Sequence, residues 1–147
     1  MVKNLYKKIL VPTDGSKYAE KSLNHALLIA NASGAEVIAL SVIENSFSLN
    51  LPTTDSLNDI NELLHDETKQ NLKNVDKIKE ESGFDVNISY KIAEGSPAKA
   101  ILKVVEEEDI DLVVIGSSGK TGFDKIIMGS VADKVVNNAK CSVLVIR

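Results

Sequence analysis

The sequence predicts an α/β protein: an open, parallel five-stranded sheet with helices on both faces. Three observations predict it. Apolar runs rich in β-branched residues recur five times along the 147 residues. Between them, apolar residues repeat at helical spacing, so strand and helix alternate. Four of the five hold an unbroken apolar stretch (residues 9–11, 37–40, 112–115 and 143–146), the pattern of strands buried on both faces. Such alternation builds a parallel sheet through right-handed crossovers. A length of 147 residues is that of one domain, taken as residues 1–147.

The first strand is expected over residues 7–12 (KKILVP), ended by Pro12 and the turn residues Asp14, Gly15 and Ser16. Ser16 is the expected N-cap of a helix in which Ala19, Leu23, Ala26, Leu27 and Ala30 repeat until Gly34 stops it. Residues 35–43 (AEVIALSVI) read as a second buried strand. The polar residues 44–56, with Pro52, are too long for a routine connection and read as a flap or insertion. Leu57, Ile60, Leu64, Leu72, Val75 and Ile78 mark a long amphipathic helix ending before Gly83.

Residues 85–92 alternate strictly, with Val86, Ile88, Tyr90 and Ile92 on one side, so this third strand is half exposed at a sheet edge. Ser96 and Pro97 open a third helix, with Ala98, Ile101, Leu102 and Val105 as its buried stripe. The acidic run from Glu106 through Asp109 reads as its solvated end. Residues 110–115 (IDLVVI) form the fourth strand. Ser130 is expected to cap the last helix, and residues 141–146 (CSVLVI) are the fifth strand. A ligand of such a sheet belongs at the carboxyl ends of the strands, where their order reverses.

Composition narrows the ligand. Net charge is −4, aromatics are 4%, Trp is absent, and the one arginine is Arg147. A nucleic-acid binder carries a basic face and stacking rings, so that class is excluded. One cysteine, Cys141, forms no internal disulfide, and two histidines, His25 and His65, without a CxxC do not make a zinc site. No apolar run approaches membrane-spanning length and none resembles a signal peptide, so a cytoplasmic location is expected.

Four of the eight glycines, Gly116, Gly119, Gly122 and Gly129, fall within 14 residues. They follow a buried strand and precede a helix start, whose unpaired N–H groups and positive dipole end suit a phosphate. Lys120 and Thr121 copy the tail of a P-loop, but GxxxxGK[ST] needs glycine at 114, where Val114 stands. GxGxxG is absent too. Asp14 lacks the neighbouring acidic residues of a phosphoacceptor site, and alone it reads as a turn residue.

The spacing present is G-x2-G-x9-G-S, from Gly116, Gly119, Gly129 and Ser130. With KKILVPTDGS at the start, IGSSGKTG, MGSVADKVV and the closing CSVLVIR, the chain resembles the ATP-binding branch of the universal stress proteins along nearly its whole length. Ser142 departs from that pattern, which often has proline there.

The resemblance implies a Rossmann-like fold with strand order 3-2-1-4-5. It implies that Pro12, Thr13 and Asp14 contact the nucleoside and that Val42 meets the adenine edge through its backbone. Gly116 and Gly119 would lie along ribose and phosphates, and Met128 would line the pocket. Gly129, Ser130 and Val131 would give backbone N–H groups to the phosphates. ATP is the implied ligand, with Mg²⁺ or Mn²⁺ bridging its phosphates. The implied function is that of a stress-response binding module; the alternative is a slow ATP hydrolase or phosphotransferase in the same pocket. The resemblance also implies a homodimer through the last strand, where Val143, Leu144, Val145 and Ile146 would otherwise leave a free apolar edge.

Overall fold

The computed structural model describes residues 4–44, 54–118 and 128–147, without the side chains of residues 54–65. Its elements are β1 (Lys8–Pro12), α1 (Lys17–Ser33), β2 (Glu36–Ile43), α2 (Thr54–Ser82), β3 (Ile88–Glu94), α3 (Pro97–Glu107), β4 (Leu112–Gly116), α4 (Ser130–Asn138) and β5 (Ser142–Ile146). The five strands pair in the order β3-β2-β1-β4-β5, and every pairing is parallel. This is the expected α/β fold with the expected strand order.

Strand alternation divides the core in two. Ile9 and Val11, Val37 and Ala39, and Leu112 and Val114 point to one face, where Leu23, Leu27 and Val75 of α1 and α2 cover them. Leu10, Ile38, Leu40, Val113 and Ile115 point to the other, against Ile101, Val104 and Val135 of α3 and α4. The three central strands are therefore buried on both sides, as their continuous apolar runs require.

Local chemistry sets the helix ends. Ser16 Oγ accepts the Ala19 N–H at 3.1 Å, and Gly34 ends α1 at φ 79°, a left-handed conformation that costs glycine little. Pro97 stands in the first turn of α3, though the Ser96 side chain makes no cap bond.

The structure corrects several boundaries and faces. The long helix starts at Thr54, so the end of the polar stretch is helical; residues 45–53 lie outside the described residues. The side chains of Leu57, Ile60, Leu64 and His65 also lie outside. β3 lies at the sheet edge but runs later, because its register follows β2 from Val37↔Ile88 to Ile43↔Glu94. Its apolar side is the more open one: Tyr90 and Ile92 are 41% and 46% exposed. In α3, Val104 is buried where Leu102 was expected.

The acidic end of α3 is an ion-pair hub rather than a purely solvated face. Glu108 meets Lys91 at 3.0 Å and Lys8 at 3.9 Å, Glu107 meets Lys91 at 3.7 Å, and Glu106 meets Lys140 at 3.4 Å. These cations stand at a helix C-terminus, the end that attracts positive charge. At the same rim of the sheet, the Asp111 carboxylate accepts the backbone N–H groups of Lys7 and Lys8 and joins the starts of β1 and β4.

Candidate functional site

At the opposite rim, the carboxyl ends of β1, β2 and β4 surround a cavity of about 680 Å³, within the size range of small-molecule sites. The first wall is the turn after β1. Thr13 N–H donates to Leu40 O at 2.7 Å and prolongs the β1–β2 pairing past Pro12. Asp14 Oδ1 then accepts the Ser16 N–H at 2.9 Å, an Asx turn that swings the chain into α1. Gly15, at φ 81°, sits at the apex of this turn.

The facing wall is the loop after β4. Ser117 N–H donates to Ile146 O at 2.7 Å, and Ser117 O accepts the Gly129 N–H at 2.7 Å. That second bond brings the start of α4 to the end of β4. The N-cap of α4 is Gly129, not the expected Ser130, and no side chain caps it. Its first helical bond runs from Asp133 N–H to Gly129 O. The N–H groups of Ser130, Val131 and Ala132 therefore precede any i−4 acceptor and stand at the cavity, at the positive end of the helix dipole. Gly129 was expected to offer its N–H too; that group is spent on Ser117.

Pro12, Thr13, Asp14, Val42, Gly116, Gly129, Ser130 and Val131 all line this one cavity. Met128 does not; its half-buried side chain packs against the core beneath α3 and α4. Gly119, with Lys120, Thr121 and Gly122, lies outside the described residues. Two glycines have packing reasons to be glycine. A Cβ on Gly116 would stand 2.6 Å from Tyr18 Cβ, and one on Gly129 would stand 3.1 Å from Ser117 O.

Sequence reasoning missed a wall from α2, made of Glu67, Thr68 and Asn71. These residues share one helix face, but polar residues at helical spacing ordinarily mark a solvated surface, so no signal set them apart. Carboxylates on the lining belong to Asp14, Glu44 and Glu67, and among the described residues no lysine, arginine or histidine lines it. Among the described residues no group of three or more His, Cys, Asp or Glu side chains could hold a metal, and no helix is long and apolar enough to cross a membrane.

Comparison with known proteins agrees with this architecture. The Universal stress protein family model matches residues 5–147. A universal stress protein of Methanocaldococcus jannaschii is 44% identical over 144 residues, covering 98% of this chain and 84% of the relative. The solved universal stress protein UspA from Lactobacillus plantarum superposes with a TM-score of 0.84 at 29% identity, over 97% of this chain and 98% of that one. A universal stress protein from Archaeoglobus fulgidus, solved in complex with dAMP, has a TM-score of 0.70 at 22% identity, over 97% and 98% of the two chains.

Proposed function

Because the chain belongs to the universal stress protein family, we propose that it binds an adenine nucleotide, ATP, in the cavity at the carboxyl ends of β1, β2 and β4. The observation that carries this reading is the uncapped start of α4 beside the β4 loop, which turns the N–H groups of Ser130, Val131 and Ala132 toward a space of about 680 Å³. Backbone donors at a helix N-terminus hold phosphate without arginine, which suits a chain whose one arginine is Arg147. The dAMP complex of the Archaeoglobus fulgidus protein is a precedent for this fold; at 22% identity it speaks for the fold alone.

In this reading Pro12, Thr13, Asp14 and Val42 serve the nucleoside, and Gly116, Gly119, Gly129, Ser130 and Val131 serve the ribose and phosphates, while Met128 supports the site from the core. The lack of cationic side chains on the lining, among the described residues, favours a phosphate chain neutralised by a bridging Mg²⁺ or Mn²⁺. Residues 1–147 act as one cytoplasmic nucleotide-binding domain, a stress-response regulatory module that binds rather than turns over its ligand. A second copy covers the free edge of β5.

Purified protein, denatured and run on HPLC with mass detection, is expected to release adenine nucleotide, and calorimetry to show ATP binding. Absence of both overturns the reading. Rapid ATP turnover by the pure protein would move it to the hydrolase or phosphotransferase alternative, which needs a positioned base and charge stabilisation at the γ-phosphate.

A further inference from the structure

The helix α2 is longer than the sheet it covers. Its 29 residues span about 43 Å at 1.5 Å per residue. The eight residues of β2 span about 26 Å. Val75 of α2 is buried in the core beside the sheet, and the residues before it rise past the strand ends to the cavity. Asn71 reaches the turn after β1: a Cβ on Gly15 would stand 2.6 Å from Asn71 Oδ1. Thr68, one turn earlier on the same face, is a polar residue only 4% exposed. Asn74 donates to Glu20 Oε1 at 2.9 Å and fastens α2 to α1 just below.

The cavity is therefore polarised across the sheet. On the β4 side stand the free N–H groups of the α4 start. On the β2 side stand α2 and the carboxylates of Glu44 and Glu67, with Asp14 between. Phosphate is drawn to the first end and repelled from the second. The second end offers the Thr68 hydroxyl, the Asn71 amide and the Glu44 carboxylate, which pair with the sugar hydroxyls and ring nitrogens of an uncharged nucleoside.

We propose that α2 supplies the wall that recognises the nucleoside end of the ligand, with Thr68 and Asn71 as specificity-determining residues. This rests on the nucleotide reading above and adds to it a contact surface outside the glycine segment and outside the strand ends. The ligand lies with its phosphates at α4 and its nucleoside against α2.

The test compares ATP affinity by calorimetry for the intact chain and for Thr68→Val, Thr68→Ser and Asn71→Ala, with unfolding midpoints measured alongside. Thr68→Val keeps the shape and removes the hydroxyl, so it is expected to bind about tenfold more weakly, as is Asn71→Ala. Thr68→Ser keeps the hydroxyl and is expected to bind within about twofold of the original. A packing role would give the reverse order, because serine loses the buried methyl group and valine does not. Equal losses in Thr68→Ser and Thr68→Val, or no loss in Thr68→Val and Asn71→Ala, overturn the inference and leave the nucleotide reading standing. No ATP binding by the intact chain overturns both.

Discussion

Gly116 shows how one missing side chain shapes both packing and site. It ends β4 at the cavity, yet the space a Cβ would need is taken by Tyr18 of α1. Gly116→Ala must push helix from sheet, an overpacking cost of about 1–3 kcal/mol; urea unfolding is the check, and an unchanged midpoint would contradict the contact. The glycine cluster was legible as a motif. The neighbour that makes Gly116 necessary was not, because Tyr18 lies in a distant helix with no periodic or spacing relation to it. Asp111 is a similar case. Its bonds to Lys7 and Lys8 N–H join two strand starts far apart in the chain, and nothing local marks the residue. Asp14 was read both as a turn residue and as a ligand contact. One of its oxygens does serve the turn, and that turn is what sets the residue on the cavity wall.

Among the elements, α3 carries the clearest pH signature. The hydrogen bond between Lys91 and Glu108 holds the lysine above its ordinary 10.5 and the carboxyl below its ordinary 4.5. A lowered acid stabilises the fold above its ordinary value and loses that contribution as pH falls through the lowered one. A raised base loses its contribution as pH rises through the raised one. Glu108→Gln is therefore expected to flatten the fall in melting temperature below roughly pH 4.5 and above roughly pH 10.5. The pair is about one-third exposed, so the difference should shrink in about 1 M salt. Helix and strand identities were legible because their periods differ; the ends were less so. β3 overran its expected end because register with β2, a property of the pair, sets its length. α4 began at a glycine cap, with the Gly129 N–H held by the Ser117 carbonyl and no side chain capping the helix.

For the molecule as a whole, the strand order leaves β3 and β5 as edges. β5 carries half-buried Val143, Leu144 and Val145 on an open edge, the kind of edge that draws a second strand. Light scattering at micromolar concentration is expected to give twice the chain mass, and a monomer would overturn the homodimer. The alternation of nine elements was readable from hydrophobic period alone, whereas the order of the strands needed the family resemblance, since period fixes faces and not neighbours. The two rims of the sheet also differ in how they are held. One is stitched by Asp111, Lys8, Lys91 and Glu108; the other carries the cavity and the turns that Thr13 and Ser117 begin. Amide hydrogen exchange is therefore expected to be slowest at Ile9, Leu10 and Val113, buried in the central strands, and faster at Thr13 and Ser117. A ligand seated at the cavity rim ties down the end that opens first. Its binding would be felt as resistance to local opening there, and a protease probing those loops would report occupancy without any change in the fold beneath them.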